Sequence, residues 1–134
     1  MSTLAVGTIK SISSAAPVFQ NTSGTEKGQL VKAWVNFNGT SNISTDTLAI
    51  RDSFNVSSVT DVAQGQYTTN FTNSFSDTNY CAVYTISVSN STSTHGYPYL
   101  STFNTGSNHI SVFSDSNSGA TVDKATVCAT FFGD

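Results

Sequence analysis

Formally charged side chains are scarce in this sequence of 134 residues. Lys and Arg contribute 5 residues and Asp and Glu contribute 8, so charged residues make up 10% of the chain and the net charge is −3. A nucleic-acid-binding protein needs a basic surface that neutralises phosphates, and a membrane-surface helix needs a face rich in Lys and Arg. The composition therefore predicts no nucleic-acid partner and no basic membrane-bound helix.

Cysteine is almost absent, and long apolar runs are missing. Cys81 and Cys128 are too few for the several disulfides of a small secreted scaffold. We expect two inert thiols, which could approach each other if their strands are neighbours. No run of 18 apolar residues occurs, and no basic segment precedes an apolar core after Met1. Neither membrane insertion nor a signal peptide is predicted, and we expect synthesis in a cytoplasm.

Strong helix-forming residues are also rare, whereas Ser, Thr and Asn fill about two-fifths of the chain and compete with helix through local hydrogen bonds. Alternating apolar and polar residues predict strands at 4–10, 30–37, 48–59, 66–72, 80–88, 108–114 and 122–132. The segment 48–59 is interpreted as two strands or one bulged strand, broken at Arg51-Asp52-Ser53. Short strands between turn residues predict an all-β fold, an antiparallel β-sandwich forming a jelly-roll-like knob.

The N-terminal part differs from the rest of the chain. It contains Pro17 and a polar stretch at residues 21–28 that looks like a linker. We therefore divide the chain into an extended N-terminal attachment arm, residues 1–28, and a β-sandwich domain, residues 29–134.

In several predicted strands, large apolar residues also occur on the face opposite the more apolar one. These residues are Trp34, Val83, Phe113 and Phe132. One interpretation is a two-sheet core in which both faces are partly covered. The other is an interface between copies of the chain, because exposed apolar patches on monomers are usually small.

The pattern of titratable residues nominates no catalytic residue, no metal ligand and no cofactor site. His95 and His109 lie fourteen residues apart, far from the spacing of a helical zinc motif. The carboxylates are few and scattered, so no acid–base pair can be named. The sequence therefore predicts that the protein is not an enzyme.

One segment, residues 94–100, favours a binding role. Its Gly96 and Pro98 predict a loop, and His95, Tyr97 and Tyr99 are candidate contacts to a receptor molecule such as a glycan, because sugar rings stack on aromatic faces. The alternative is that one Tyr packs into the core and that Pro98 begins an edge strand.

Residues 32–40, 49–61, 65–72 and 79–80 form distinctive runs, among them Trp34-Val35-Asn36-Phe37 and the stretch from Ser53 to Asp61. These runs resemble a module found in tail-fibre and other virion structural proteins of tailed bacteriophages, especially phages of cyanobacteria and other aquatic bacteria. The closing strand at 127–133 fits the same pattern loosely. The resemblance covers about half of the chain.

The resemblance implies a β-rich homotrimer that is part of the virion and is assembled in the host cytoplasm. Its N-terminal segment is expected to dock on other virion proteins, and its C-terminal domain to face outwards. The leading hypothesis is thus a virion structural protein that forms a fibre, knob or appendage and attaches to the host surface. The alternatives are a monomeric carbohydrate-binding module and a capsid decoration protein without a receptor role.

Overall fold

The computed structural model describes residues 8, 19–28, 30–40, 48–86, 96–114 and 120–133, and in these residues the chain forms strands and no helix. Ten strands follow in chain order: β1 (Phe19–Gln20), β2 (Glu26–Gly28), β3 (Ala33–Phe37), β4 (Ile50–Phe54), β5 (Val56–Ala63), β6 (Gln66–Phe71), β7 (Cys81–Ile86), β8 (Gly96–Phe103), β9 (Ser107–Ser114) and β10 (Val127–Phe132). The strand predicted at 4–10 lies outside the described residues, apart from Thr8.

Eight of the strands form two four-stranded antiparallel sheets that pack against each other. The first sheet has the order β4-β3-β10-β7 and the second the order β5-β6-β9-β8. Strand β10 joins the first sheet in the centre, between β3 and β7, although it comes last in the sequence. The predicted all-β antiparallel sandwich is confirmed.

The core lies between the inner faces of the two sheets, and alternation along each strand selects its residues. In β3 the inner residues Ala33, Val35 and Phe37 are buried, whereas Trp34 and Asn36 point outwards and are half-buried. The core side chains are Ala33, Val35, Phe37, Leu48, Val59, Tyr67, Phe71, Phe75, Tyr80, Ile110, Val112, Val127, Ala129 and Phe131. Burial of such side chains contributes about 1.5–3 kcal/mol for each large residue and is the main stabilising term.

The chain passes from the first sheet to the second at Asn55, between β4 and β5. Asn55 has a φ of 55°, a left-handed conformation that Asn tolerates better than most residues. The interpretation of 48–59 as two strands is correct, but the break predicted at Arg51-Asp52-Ser53 is wrong. Those polar residues belong to β4, which can carry them because it is an edge strand of the first sheet.

Replacing Asn55 by alanine should lower the free energy of unfolding by about 2–3 kcal/mol. The Asn55 amide donates to the carbonyls of Lys32 (3.1 Å) and Asn73 (3.0 Å), and its oxygen accepts from the Asn73 backbone N–H (2.7 Å). Asn55→Gly loses these bonds but keeps the left-handed backbone free of strain, so it should lose less stability than Asn55→Ala. Urea unfolding of both variants tests this, and an equal loss in the two contradicts the role of the backbone angle.

Residues 19–28 form a small hairpin of their own within the predicted arm. Strands β1 and β2 pair antiparallel, and the Asn21 side-chain oxygen accepts from the backbone N–H groups of Ser23 (3.1 Å) and Thr25 (2.8 Å). The stretch interpreted as a linker is therefore a hairpin turn followed by a strand. The attachment role of the arm stays a prediction.

Candidate functional site

The four candidate interface residues point away from the core, as alternation predicted, but they lie on two different sheets. Trp34 on β3, Val83 on β7 and Phe132 on β10 belong to the outer face of the first sheet. Phe113 on β9 belongs to the outer face of the second sheet. The molecule thus has two separate surfaces to consider.

On the first sheet, four residues align directly across all four strands. Trp34 pairs with Phe54 on one side and with Thr130 on the other, and Thr130 pairs with Val83. We call Phe54, Trp34, Thr130 and Val83 the cross-sheet row. Phe54 is 54% exposed and Val83 is 52% exposed, so the row leaves a mostly apolar stripe about 15 Å long open to solvent. Phe54 was not among the predicted interface residues, although the charged Asp52 two residues before it indicates that this face of the strand points to solvent.

The two cysteines flank this row on opposite sides. Cys128 pairs with Thr85 and Cys81 with Phe132, so both thiols lie on the outer face of neighbouring strands. Their positions are offset by four residues along β10, which separates them by about 13 Å. Disulfide formation requires Cα atoms closer than about 7 Å. The expectation that these thiols could approach each other is wrong, and both are free.

On the second sheet, three aromatic side chains meet at the edge formed by β8 and β9. Tyr97 stacks on Phe113 with centroids 5.9 Å apart and planes tilted by 21°. Tyr99 meets Phe113 edge-on, at 6.0 Å and 85°. We call Tyr97, Tyr99 and Phe113 the aromatic corner. Tyr97 is 51% exposed and Tyr99 is 60% exposed, so both rings are open to a ligand.

The two tyrosines lie on a strand, and the predicted loop is wrong for residues 96–100. Pro98 is compatible with a strand here because β8 is an edge strand. Its partner Val112 donates to the Gly65 carbonyl and accepts from the Val122 N–H, so it forms no ladder bond towards β8. The missing N–H of Pro98 therefore costs nothing. His95, the third candidate contact, lies outside the described residues.

The aromatic corner is bordered by neutral polar groups. Gln66 and Ser111 align with Tyr99 in one row across the sheet. His109, one row further, shares a hydrogen bond with the Thr68 hydroxyl at 2.9 Å. Partial burial lowers the pKa of His109 from its usual value, which favours the neutral ring. Among the described residues, the outer face of the second sheet carries no Asp, Glu, Lys or Arg.

Within the described part of the chain, no group of three or more His, Cys, Asp and Glu side chains is placed to hold a metal ion. Nor does that part contain a helix long and apolar enough to cross a membrane. The absence of catalytic and cofactor residues stays a prediction from the sequence.

Comparison with known proteins returned no protein family, no curated protein and no solved structure that matches this chain.

Proposed function

We propose that this chain is a structural protein of a bacteriophage virion that assembles as a homotrimer and forms a fibre, knob or appendage. In this proposal the N-terminal arm binds other virion proteins, and the β-sandwich faces outwards and contacts the host surface. The proposal is supported by the resemblance of the runs between residues 32 and 80 to phage virion modules. It is consistent with an all-β sandwich that carries few charges.

The observation that carries the assembly part is the exposed cross-sheet row. Phe54 and Val83 stand at the two ends of this row on the outer face of the first sheet and are each about half-exposed, and Trp34 lies partly exposed between Phe54 and Thr130. Burying a large apolar side chain completely contributes about 1.5–3 kcal/mol. Three copies that bury this row as the centre of a larger contact over the outer face of the first sheet gain that term three times, and a closed ring leaves no row exposed.

The proposal predicts that Val83→Lys converts a trimer into a monomer. The substitution places a charge at one end of the row, inside the proposed apolar contact, where desolvation costs several kcal/mol without a partner. Light scattering after size-exclusion chromatography, or native mass spectrometry at micromolar concentration, reports the change in mass.

The chain offers a matched control for this experiment. Val62 is 54% exposed, close to the exposure of Val83, but it lies on β5 in the second sheet. Val62→Lys should leave the trimer intact. A monomeric wild-type protein, or equal disruption by the two substitutions, contradicts the assembly proposal.

The aromatic corner supports a second candidate, a monomeric carbohydrate-binding module without an assembly role. Deletion of residues 2–28 separates the two proposals. An assembly protein should then lose its attachment to the virion, whereas a monomeric module should keep its glycan. A decoration protein without a receptor role should bind no glycan in either form.

A further inference from the structure

We infer that the aromatic corner is a binding site for an uncharged glycan and that it accepts a single chain or chain end instead of a flat polysaccharide surface. The inference deepens the host-contact part of the proposed function and rests on it. Three independent features of the site support it: the angle between the rings, the neutrality of their surroundings and the small area of the patch.

The angle between the rings selects the shape of the ligand. Because Tyr97 is tilted by only 21° from Phe113 and Tyr99 by 85°, the two tyrosine rings cannot be coplanar. A flat ribbon of several sugars needs coplanar rings to stack on. A corner instead lets one sugar ring stack on one tyrosine while its edge touches the other. The apolar C–H face of a sugar is attracted by the negative face of an aromatic ring.

The neutrality of the surroundings selects the chemistry of the ligand. Gln66 continues the row of Tyr99 beyond the buried Ser111 and provides an amide group that can donate and accept hydrogen bonds. His109 is held towards its neutral form by burial, and no formally charged side chain lies on the described part of this face. Sulfated or uronic-acid sugars would find no compensating cation here, so the site favours neutral hydroxyl-rich sugars.

The area of the patch argues against a protein partner. A stable protein interface buries about 800 Å² on each partner. Three aromatic side chains bury about 150–250 Å² each when fully covered, and these three already bury part of that area against one another. Strand addition to the free edge of β8 is hindered as well, since Pro98 has no N–H to donate. One or two sugar rings match the remaining area.

The test measures binding of the full chain to two matched oligosaccharide sets. One contains neutral hexose and N-acetylhexosamine oligomers, and the other contains sulfated and uronic-acid oligomers. We expect binding to members of the neutral set, and no loss when NaCl is raised from about 0.1 to about 1 M. Preference for the acidic set, loss of binding at high salt, or no binding to either set overturns the inference.

Variants locate the site. Tyr99→Ala should weaken binding about tenfold, whereas Tyr99→Phe, which keeps the ring, should retain most of the affinity. Val62→Ala removes an equally exposed apolar side chain from the other edge of the same sheet, and we expect no change. Equal loss for Tyr99→Ala and Val62→Ala overturns the inference.

Failure of this inference is distinguishable from failure of the proposed function. Val83→Lys should abolish the trimer but leave the glycan affinity of each aromatic corner unchanged, because Val83 lies on the first sheet and the corner on the second. Tyr99→Ala should weaken glycan binding but leave the trimer intact. If the protein is a trimer but binds no neutral glycan, only the glycan inference is contradicted. If it binds a neutral glycan as a monomer, the assembly proposal is contradicted.

Discussion

Replacing Asn108 by leucine is expected to lower the free energy of unfolding by about 3 kcal/mol, because it removes the centre of a buried polar network. Asn108 is fully buried on β9. Its amide donates to the Tyr80 hydroxyl (3.1 Å) and to the Thr102 carbonyl (3.4 Å), and its oxygen accepts from the Tyr84 hydroxyl. Burial raises the pKa of Tyr80 and Tyr84, so both phenols stay protonated and able to donate.

The network stabilises the sandwich because it joins its two sheets. Tyr84 lies on β7 of the first sheet, Tyr80 immediately precedes that strand, and Asn108 lies on the second sheet. Without the amide oxygen, the Tyr84 hydroxyl loses its acceptor in a partly buried position. An unsatisfied buried hydroxyl costs about 1–3 kcal/mol in addition to the lost bonds.

A double-mutant cycle separates this effect from simple packing. Tyr84→Phe removes the hydroxyl that Asn108→Leu leaves without an acceptor, so the double variant should lose at least about 1 kcal/mol less than the two single losses together. Urea midpoints at one protein concentration give the free energies, provided that the m-value is unchanged.

Asn70 supplies the matched control for Asn108. It lies on the neighbouring strand β6 but on the outer face, where its amide donates to the Ser58 and Thr60 hydroxyls. Water can replace those bonds, and Asn70→Leu should cost less than about 1 kcal/mol. Strictly additive effects of Tyr84→Phe and Asn108→Leu, or equal losses for Asn70→Leu and Asn108→Leu, contradict the role of the network.

The sequence predicted correctly which side chains face the core. Val35 and Phe37 are buried while Trp34 points outwards, and on β7 Tyr84 points inwards while Val83 points outwards. This success follows from a local property, since successive side chains of any strand point to opposite faces. The fold class follows from the same alternation repeated in short segments.

The sheet that each outward residue belongs to could not be predicted. Trp34 and Phe113 have the same local pattern, yet one contributes to the cross-sheet row and the other to the aromatic corner. The register that aligns Phe54, Trp34 and Val83 joins strands that are far apart in the sequence. Alternation contains no information about that register. The cross-sheet row and the aromatic corner could therefore be identified only from the observed strand pairing.

Strand ends were predicted less well where tertiary hydrogen bonds override local preference. The last strand begins at Val127 and not at Val122, because the Val122 N–H donates to the Val112 carbonyl and Lys124 accepts from the Gly39 N–H. These bonds hold residues 122–124 against the ends of other strands. At residues 96–100, Gly96 and Pro98 favoured a loop, and the structure instead shows the edge strand that the alternative interpretation of Pro98 described.

Replacing Gly65 by alanine is expected to destabilise the protein at least as much as Asn108→Leu, lowering the free energy of unfolding by about 4 kcal/mol. Gly65 forms the turn between β5 and β6 with a φ of 64°, which costs a residue with a Cβ atom about 1–2 kcal/mol. A Cβ atom here would also lie 2.5 Å from the Val122 nitrogen and 2.8 Å from the Val112 carbonyl oxygen. Both are backbone atoms, so no side-chain rotation can relieve the collision.

The collision would also disturb hydrogen bonds that connect the β5–β6 turn to other parts of the chain. Gly65 donates to the Asp123 carboxylate (2.5 Å), which also accepts from the buried Tyr67 hydroxyl (3.1 Å). The Gly65 carbonyl accepts from the Val112 N–H (2.7 Å), and the Val122 N–H donates to the Val112 carbonyl (2.9 Å). Moving the turn outwards to accommodate a methyl group strains all of these bonds at once. The loss should therefore exceed that expected from the backbone angle alone.

Gly24 separates the two contributions, because it shares the backbone angle without the crowding. Its φ is 79°, and among the described residues no heavy atom beyond its two chain neighbours lies within 4 Å of the position that a Cβ atom would take. Gly24→Ala should cost no more than about 1–2 kcal/mol, the strain of the left-handed conformation. Thermal and urea unfolding of both variants measure the difference. If Gly65→Ala is no worse than Gly24→Ala, the contact of the β5–β6 turn with Val122 does not stabilise the sandwich.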